Sequence, residues 1–183
     1  MSVAAQTRAA ADISIRPAAA ADLATLQEIY AGHVLNSAAS FEEVPPSREE
    51  FERRWRAIVD AGLPYLVACE GESVLGYAYA GPYRPRSAYR FTVEDSIYLA
   101  GTAAGRGIGT ALLTAVIEGA ARAGKRQMLA VIGDSGNAAS VALHRRLGFA
   151  HVGTFRAVGF KFGRWVDSVL MQRALGDGDA TSP

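Results

Sequence analysis

The stretch "SIYLAGTAAGRGIGTALLTAVIEGA", Ser96–Ala120, decides how the rest of the chain is read. An extended apolar run stops, Gly105, Gly107 and Gly109 crowd around Arg106, and an apolar-periodic helix begins at once. A helix N-terminus leaves backbone N–H groups without intrahelical partners and adds partial positive charge. Glycines keep Cβ atoms out of the way, so an anion can approach the amides of Gly105, Arg106, Gly107, Ile108, Gly109 and Thr110. The turn therefore reads as a seat for a diphosphate, with the Arg106 side chain as a counter-charge at its rim. A turn whose glycines only pack is the competing reading. Two familiar diphosphate motifs are excluded. A P-loop needs a lysine before Thr110, and none is there. A dinucleotide fingerprint needs a third glycine where Thr110 stands and an acidic residue about 20 positions on; residues 123–127 read "AGKRQ".

Outward from this turn, the composition bounds the class. The chain has 183 residues, half of them apolar and a fifth charged, with a net charge of +1. That suits one globular domain and offers no broad basic field for nucleic acid or an anionic membrane. One cysteine, Cys69, excludes an internal disulfide and a cysteine-rich metal site, and fits a reducing cytoplasm. No run of about 18 apolar residues is present to span a bilayer. "MSVAAQTRAAAD" lacks the apolar centre of a signal peptide. Residues 1–12 and 176–183 are expected to be disordered, with a single domain over 13–175.

Periodicity supplies the elements. "ISIRP" is a short strand, and Leu23, Leu26, Ile29 and Tyr30 keep helical spacing over Ala20–Ala31. "SREEFERRWRAIVDAG" opens on a Ser47/Glu50 capping box, puts Phe51, Trp55, Ile58 and Val59 on one face and ends at Gly62. "YLVACE" and "SVLGYAYA" form an antiparallel hairpin turning at Gly71. "VEDSIYLA" leads into the glycine turn and the helix Gly107–Ala123. "RQMLAVI" is an unbroken apolar run, expected to be covered on both faces. "NAASVALHRRLG" is a short helix, and "AHVGTF" and "RWVDSVLMQRAL" are two last strands. The sum is an α/β (α+β) architecture: a mixed sheet with helices on both faces and a parallel, right-handed crossover from Val93 to Ile132.

"GRGIG" at the head of the longest helix, followed after the next strand by "SGNAASVALHRRLGF", resembles the GNAT family of acetyl-CoA-dependent N-acyltransferases. Gly107, Gly109, Asn137, Gly148 and Phe149 match its hallmarks; Ala104 stands where the family usually has Gln or Arg. "YAGPYRPRSAYRFTVEDSIYL", "AVGFKFGRWVDSVLMQ" and "FEEVPPS" narrow the resemblance to the phosphinothricin and methionine sulfone/sulfoximine N-acetyltransferase branch, over about Ile13 to Leu175.

The resemblance implies a GNAT fold, acetyl-CoA as acyl donor, no metal, a homodimer and a small amino acid analogue as acceptor. Acyl transfer needs a neutral nitrogen, whereas α-amines are mostly protonated at neutral pH, so a base is required. Glu94 is the candidate, and a solvated strand-end carboxylate is its bland alternative. Asp95 beside it should point to the opposite face. Backbone donors for the developing oxyanion map to Ile97, Tyr98 and Leu99. His144, seven residues after Asn137, is either the acid for the departing thiolate or a packing or cofactor-contact residue; Asn137 is read as a cofactor contact. An acceptor carboxylate suits an arginine fork, Arg84 or Arg86 flanking Pro85. Phe41, Tyr89, Phe160 and Lys161 are candidate walls, with Lys161 free for an anionic group such as a phosphinate. Trp55, Trp165 and Cys69 read as core, and "RRLGF" as a charged helix end that can reach the adenosine phosphate. Acetylation of another small amine or a protein N-terminus, and a CoA-binding module without turnover, stay open as alternatives.

Overall fold

The computed structural model describes residues 13–182; the disorder expected of residues 1–12 lies outside the described residues. Seven strands form one mixed sheet: β1 (Ile13–Pro17), β2 (Tyr65–Glu70), β3 (Ser73–Pro82), β4 (Thr92–Leu99), β5 (Gln127–Gly133), β6 (Ala150–Lys161) and β7 (Arg164–Ala174). Their order is β1-β2-β3-β4-β5-β7-β6, with β4 and β5 the parallel pair and every other pairing antiparallel.

Four helices cover the sheet: α1 (Leu23–Asn36), α2 (Arg48–Asp60), α3 (Ile108–Arg122) and α4 (Ala138–Arg146). On one face, Leu112, Leu113 and Val116 of α3 close on Ala78, Val93, Met128 and Met171 of the strands. On the other, Leu26, Tyr30 and Phe51 of α1 and α2 meet Tyr65, Val67 and Tyr77. Strand alternation sorts β4 between the two. Val93, Ile97 and Leu99 join the α3 core, while Tyr98 joins the α1/α2 core.

Local signals explain the ends. Ser47 accepts from the Glu50 amide and caps α2, but the Glu50 carboxylate turns outward to Arg53 and Arg54, so only half of the capping box forms. Asn137 caps α4 by accepting from the Ser140 amide. Gly62, Gly71, Gly107, Gly124 and Gly148 take positive φ at the turns and helix ends where they stand.

Several features depart from expectation. α1 runs five residues further than its periodicity suggested, to Asn36. Val59 is 42% exposed, because α2 rests on the sheet through Phe51, Trp55 and Ile58 alone. β5 is interior in the sheet, yet Val131 is 41% exposed, since one face of its C-terminal half borders open space. Trp165, read as core, is 65% exposed and stacks edge-on against Phe160, also exposed, on the long β6–β7 hairpin. The expected tail disorder meets specific contacts: Arg126 donates to the Thr181 hydroxyl and pairs with Asp177, and the Gly178 amide binds the Leu175 carbonyl.

Lys161 draws the loop between α1 and α2 onto the sheet. Its Nζ donates to the carbonyls of Ser37 and Ser40, at 2.9 and 2.7 Å, and only 2% of the residue is exposed. The Phe41 ring then lies across Gly133 and Gly159. A Cβ at Gly133 would overlap the Ala38 carbonyl oxygen, and one at Gly159 the Phe41 ring. Gly133→Ala should therefore destabilise the fold by about 1–3 kcal/mol, the usual range for overpacking against fixed atoms. A chemical denaturation midpoint equal to wild type would contradict that seating of the loop.

Candidate active site

The parallel ladder between β4 and β5 is short. It pairs Thr92 with Gln127, Val93 with Met128 and Glu94 with Leu129, and then ends. β4 continues to Leu99 on β3, and β5 continues to Gly133 on β7, so the two strands part at Glu94. The gap is a cleft of about 580 Å³ whose walls include Asp95–Leu99 of β4, Ala130–Gly133 of β5 and the cleft side of α4.

The register decides which backbone groups face it. The Tyr83 amide binds the Thr92 carbonyl and the Ala100 amide binds the Leu75 carbonyl, which places even-numbered residues of β4 in hydrogen-bonded pairs with β3. The amides and carbonyls of Asp95, Ile97 and Leu99 therefore point into the cleft, where no strand meets them. His33 of α1 takes one of them, its Nε2–H donating to the Leu99 carbonyl at 2.9 Å. The expectation for Ile97 and Leu99 as cleft-facing donors fits this register. Tyr98 also borders the cleft, but its amide is turned toward Tyr77.

Beyond β4, Gly105, Gly107, Gly109 and Thr110 border the same cleft. Gly107 is the N-cap of α3 at φ 77°, a left-handed conformation, and no side chain caps the helix. Its first intrahelical bond runs from the Ala111 amide to the Gly107 carbonyl, so the amides of Ile108, Gly109 and Thr110 have no helical partner. The Ile108 side chain turns the other way, into the core. At Gly109 a Cβ would stand in ordinary contact, 3.4 Å from a Leu143 methyl and 3.5 Å from Leu99, so packing there does not itself require glycine. An uncapped helix start beside an unpaired strand edge fits the diphosphate and amide-bearing arm of acetyl-CoA. Among the described residues no cluster of three or more His, Cys, Asp or Glu is placed to hold a metal.

Arg106 does not face the cleft. Its guanidinium is paired with Glu70 at the end of β2, a contact between residues 36 apart that sequence spacing does not announce. The arginine that does border the cleft is Arg146, one turn of α4 beyond Leu143. Asn137 borders it too, with its side-chain oxygen engaged in the cap.

Glu94 and Asp95 fall on opposite faces, as alternation requires. Glu94 is half-buried and lies outside the cleft lining; burial, with the nearby Asp95 charge as a second cause, pushes its carboxyl up to about 7. Asp95 is 6% exposed and sits 3.0 Å from His144 Nε2. His144 Nδ1 lies 2.8 Å from the Ser140 carbonyl, which only accepts, so that nitrogen carries a proton. Burial lowers the His144 pKa, but the hydrogen bond and charge of Asp95 and the Ser140 carbonyl outweigh it, leaving the ring raised. Asp95 Oδ1 is buried without a partner. Sequence reasoning found His144 but missed both Asp95 as its partner and His33. No local pattern ties them, because these contacts span 49 and 66 residues.

The acceptor candidates fall on other surfaces. Arg84 is exposed, its guanidinium over the Tyr83 and Tyr89 rings at 4.9 and 5.8 Å. Pro85 and Arg86 are exposed in the same loop, which leads into β4 two residues before Glu94. Phe41 is partly exposed on the α1–α2 loop. Lys161 is not available to a phosphinate, because its ammonium is consumed by two carbonyls of that loop.

The comparisons with known proteins agree with this geometry. The acetyltransferase (GNAT) domain profile matches residues 15–170. A phosphinothricin N-acetyltransferase of Alcaligenes faecalis is 54% identical over 88% of this chain and 82% of its own length. An L-methionine sulfoximine/L-methionine sulfone acetyltransferase of Pseudomonas paraeruginosa is 44% identical over 88% of this chain and 94% of its own. The crystal structure of a GNAT superfamily phosphinothricin acetyltransferase from Sinorhizobium meliloti in complex with AcCoA superposes with a TM-score of 0.91, at 50% identity, over 93% of this chain and 92% of that one. An opened β4–β5 seam leading to an uncapped glycine turn, matched along nearly the whole domain, makes this chain a member of the GNAT acetyltransferase family.

Proposed function

We propose that the chain transfers acetyl from acetyl-CoA to the α-amine of a small amino acid whose side chain carries an oxidised sulfur or phosphorus: methionine sulfone, methionine sulfoximine or phosphinothricin. The observation that carries this reading is the opened seam, with unpaired amides of β4 on one side and Glu94 at its apex. The activities named for the relatives support the choice of acceptor.

Acetyl-CoA supplies an acyl carbon activated as a thioester. The amides of Ile108, Gly109 and Thr110 hold its diphosphate, with Gly105 and Gly107 leaving the approach clear and Asn137 bordering the arm. The Ile97 and Leu99 amides donate to the oxygen that gains charge during transfer, where preorganised donors are worth several kcal/mol. Arg84, with Arg86 beside it, receives the acceptor carboxylate; neither pairs with a carboxylate among the described residues. Glu94 removes one proton from the ammonium, the nitrogen bonds to the acyl carbon, and the carbon–sulfur bond breaks as the nitrogen sheds its second proton to solvent. His144 holds the proton that the departing sulfur takes, and Asp95 keeps it on the ring until then.

The enzyme works in the cytoplasm, where its single thiol stays reduced, and its partners are a small molecule and a second copy of itself, not nucleic acid or a membrane. The apolar stripe of Phe155, Val158, Phe160 and Trp165, each more than half exposed on the β6–β7 hairpin at the sheet edge, supports the homodimer.

Glu94→Gln should lower kcat by about 10²–10⁴-fold, the span of general-base catalysis, and leave acetyl-CoA affinity within about twofold. In the wild type, turnover should rise with pH as Glu94 ionises near 7, and that limb should vanish in the variant. Equal rates and profiles would remove Glu94 from the base role. Asp95→Asn should bring the His144 titration, followed by NMR of the ring, below its wild-type midpoint, since the partner that holds the proton is gone; an unmoved midpoint would contradict the pairing. Sedimentation should give twice the 19.3 kDa chain mass, and the double variant Phe160→Glu/Trp165→Glu should sediment as a monomer. A wild-type monomer would refute the assembly.

A further inference from the structure

We propose that a second cavity, on the opposite face of the sheet from the cofactor cleft, receives the acceptor's side chain, and that the hydroxyls of Tyr65 and Tyr79 donate to its sulfone, sulfoximine or phosphinate oxygens. The inference rests on the acyl-transfer reading above and names the part of the enzyme that selects the acceptor.

β4 separates the two spaces. Asp95, Ile97 and Leu99 face the α3 side, whereas Glu94, Ser96 and Tyr98 face α1 and α2. On that second face lies a cavity of about 100 Å³ walled by Tyr30, Glu42, Arg54, Tyr65, Tyr77 and Tyr79. One water needs only about 10–15 Å³ of such space, so there is room for an organic group. The lining is aromatic in body and polar at its tips. Tyr65, Tyr77 and Tyr79 stack with interplanar angles of 4–13° and ring centroids 4.8–6.3 Å apart. Arg54 closes one wall, its guanidinium neutralised by Glu42 at 2.6 Å and Glu50 at 2.7 Å. Burial raises all three phenols above the ordinary tyrosine value, so each remains an O–H donor through the neutral range.

Tyr79, one wall of the cavity, lies on the same face of the sheet as the base. Gly81 stands opposite Glu94 in the β3–β4 register, and a Cβ there would lie 3.9 Å from Tyr79 Cε2. The space beside the Glu94 carboxylate is therefore bounded by the Tyr79 ring. Tyr79 itself stands opposite Ser96, two positions along β4 from Glu94, or about 6.8 Å along the strand. In methionine sulfone, methionine sulfoximine and phosphinothricin alike, the oxidised group's oxygen lies five bonds from the α-nitrogen. Five bonds of about 1.5 Å give a similar reach. An amine presented to Glu94 thus sets that oxygen down among the tyrosine hydroxyls.

The test compares kcat/KM for methionine sulfone and phosphinothricin with that for norleucine, which has the same reach and no oxygen. In Tyr79→Phe, and separately in Tyr65→Phe, the preference for the oxygenated acceptors should fall about tenfold, through KM, for loss of one hydrogen bond. Acetyl-CoA affinity by calorimetry should match wild type, which also reports that each variant is folded. A preference unchanged in both variants overturns the proposal, as does an equal loss on all three acceptors, the mark of a merely structural effect. A wild type inactive on every acceptor would refute the acyl-transfer reading itself. A crystal of either folded variant's parent soaked in methionine sulfone should show a sulfone oxygen within hydrogen-bonding distance of Tyr79; a side chain lodged elsewhere sinks the assignment.

Discussion

Everything about this molecule's site depends on two parallel strands that stop pairing in the middle of a sheet. Buried amides and carbonyls without partners are costly, and folded proteins rarely tolerate them. Here β4 gives up its β5 partner after Glu94 while β5 keeps its full ladder with β7, so the break is confined to the facing edges of β4 and β5. The structure limits the cost without closing the gap. His33 takes the Leu99 carbonyl, and the His144–Asp95 bond ties α4 to β4 just past the last ladder pair. Leu143 and Leu99 close over Gly109 at the start of α3. What remains is two groups of unused amides along one cleft, those of Ile97 and Leu99 and those of Ile108, Gly109 and Thr110, and a ligand that completes the sheet is the natural partner for them.

The same break explains why two adjacent carboxyl groups behave differently. Glu94 and Asp95 are neighbours in sequence, but a strand sends them to opposite faces. Asp95 finds an imidazole within hydrogen-bonding distance and becomes part of a buried pair, although its second oxygen stays without a partner. Glu94 finds no cation, and burial beside a like charge raises it to about 7. One carboxylate thus sets the proton affinity of a histidine while its charge helps set that of a base across the strand. A substitution at Asp95 acts on both, so its effects on the two titrations are coupled and must be read together.

The parts legible in the sequence were those that depend on local spacing. The glycine turn, the α3 and α4 helix starts, the β2–β3 hairpin and the parallel crossover pairing all rest on signals within a few residues of one another. The resemblance to the GNAT family added the roles of the matching positions. What spacing could not announce were long-range partners. Lys161 looked like a free cation, but the loop near Ser37 needed its ammonium. Arg106 looked like a phosphate ligand, but Glu70 holds it. Trp165 looked like core by its chemistry, yet the strand it occupies lies next to the sheet edge and turns it outward. His33 showed no partner pattern in the sequence, because its partner is a carbonyl 66 residues away.

This division between legible and illegible follows from how the two halves of the site recognise their ligands. The donor side works through backbone amides, and a backbone that must approach a diphosphate restricts the sequence to glycine at fixed spacing. That restriction writes a motif. The proposed acceptor side is built from side-chain tips carried by α1, α2, β2 and β3, brought together only when the sheet and helices pack. Any set of donors of suitable reach would serve there, so no spacing records them. Changing the acceptor need not disturb the donor seat, because β4 stands between them and only Glu94 and the carbonyl carbon at the seam belong to both. A single strand with two unlike faces therefore fixes the reaction on one side and leaves the choice of amine to the other.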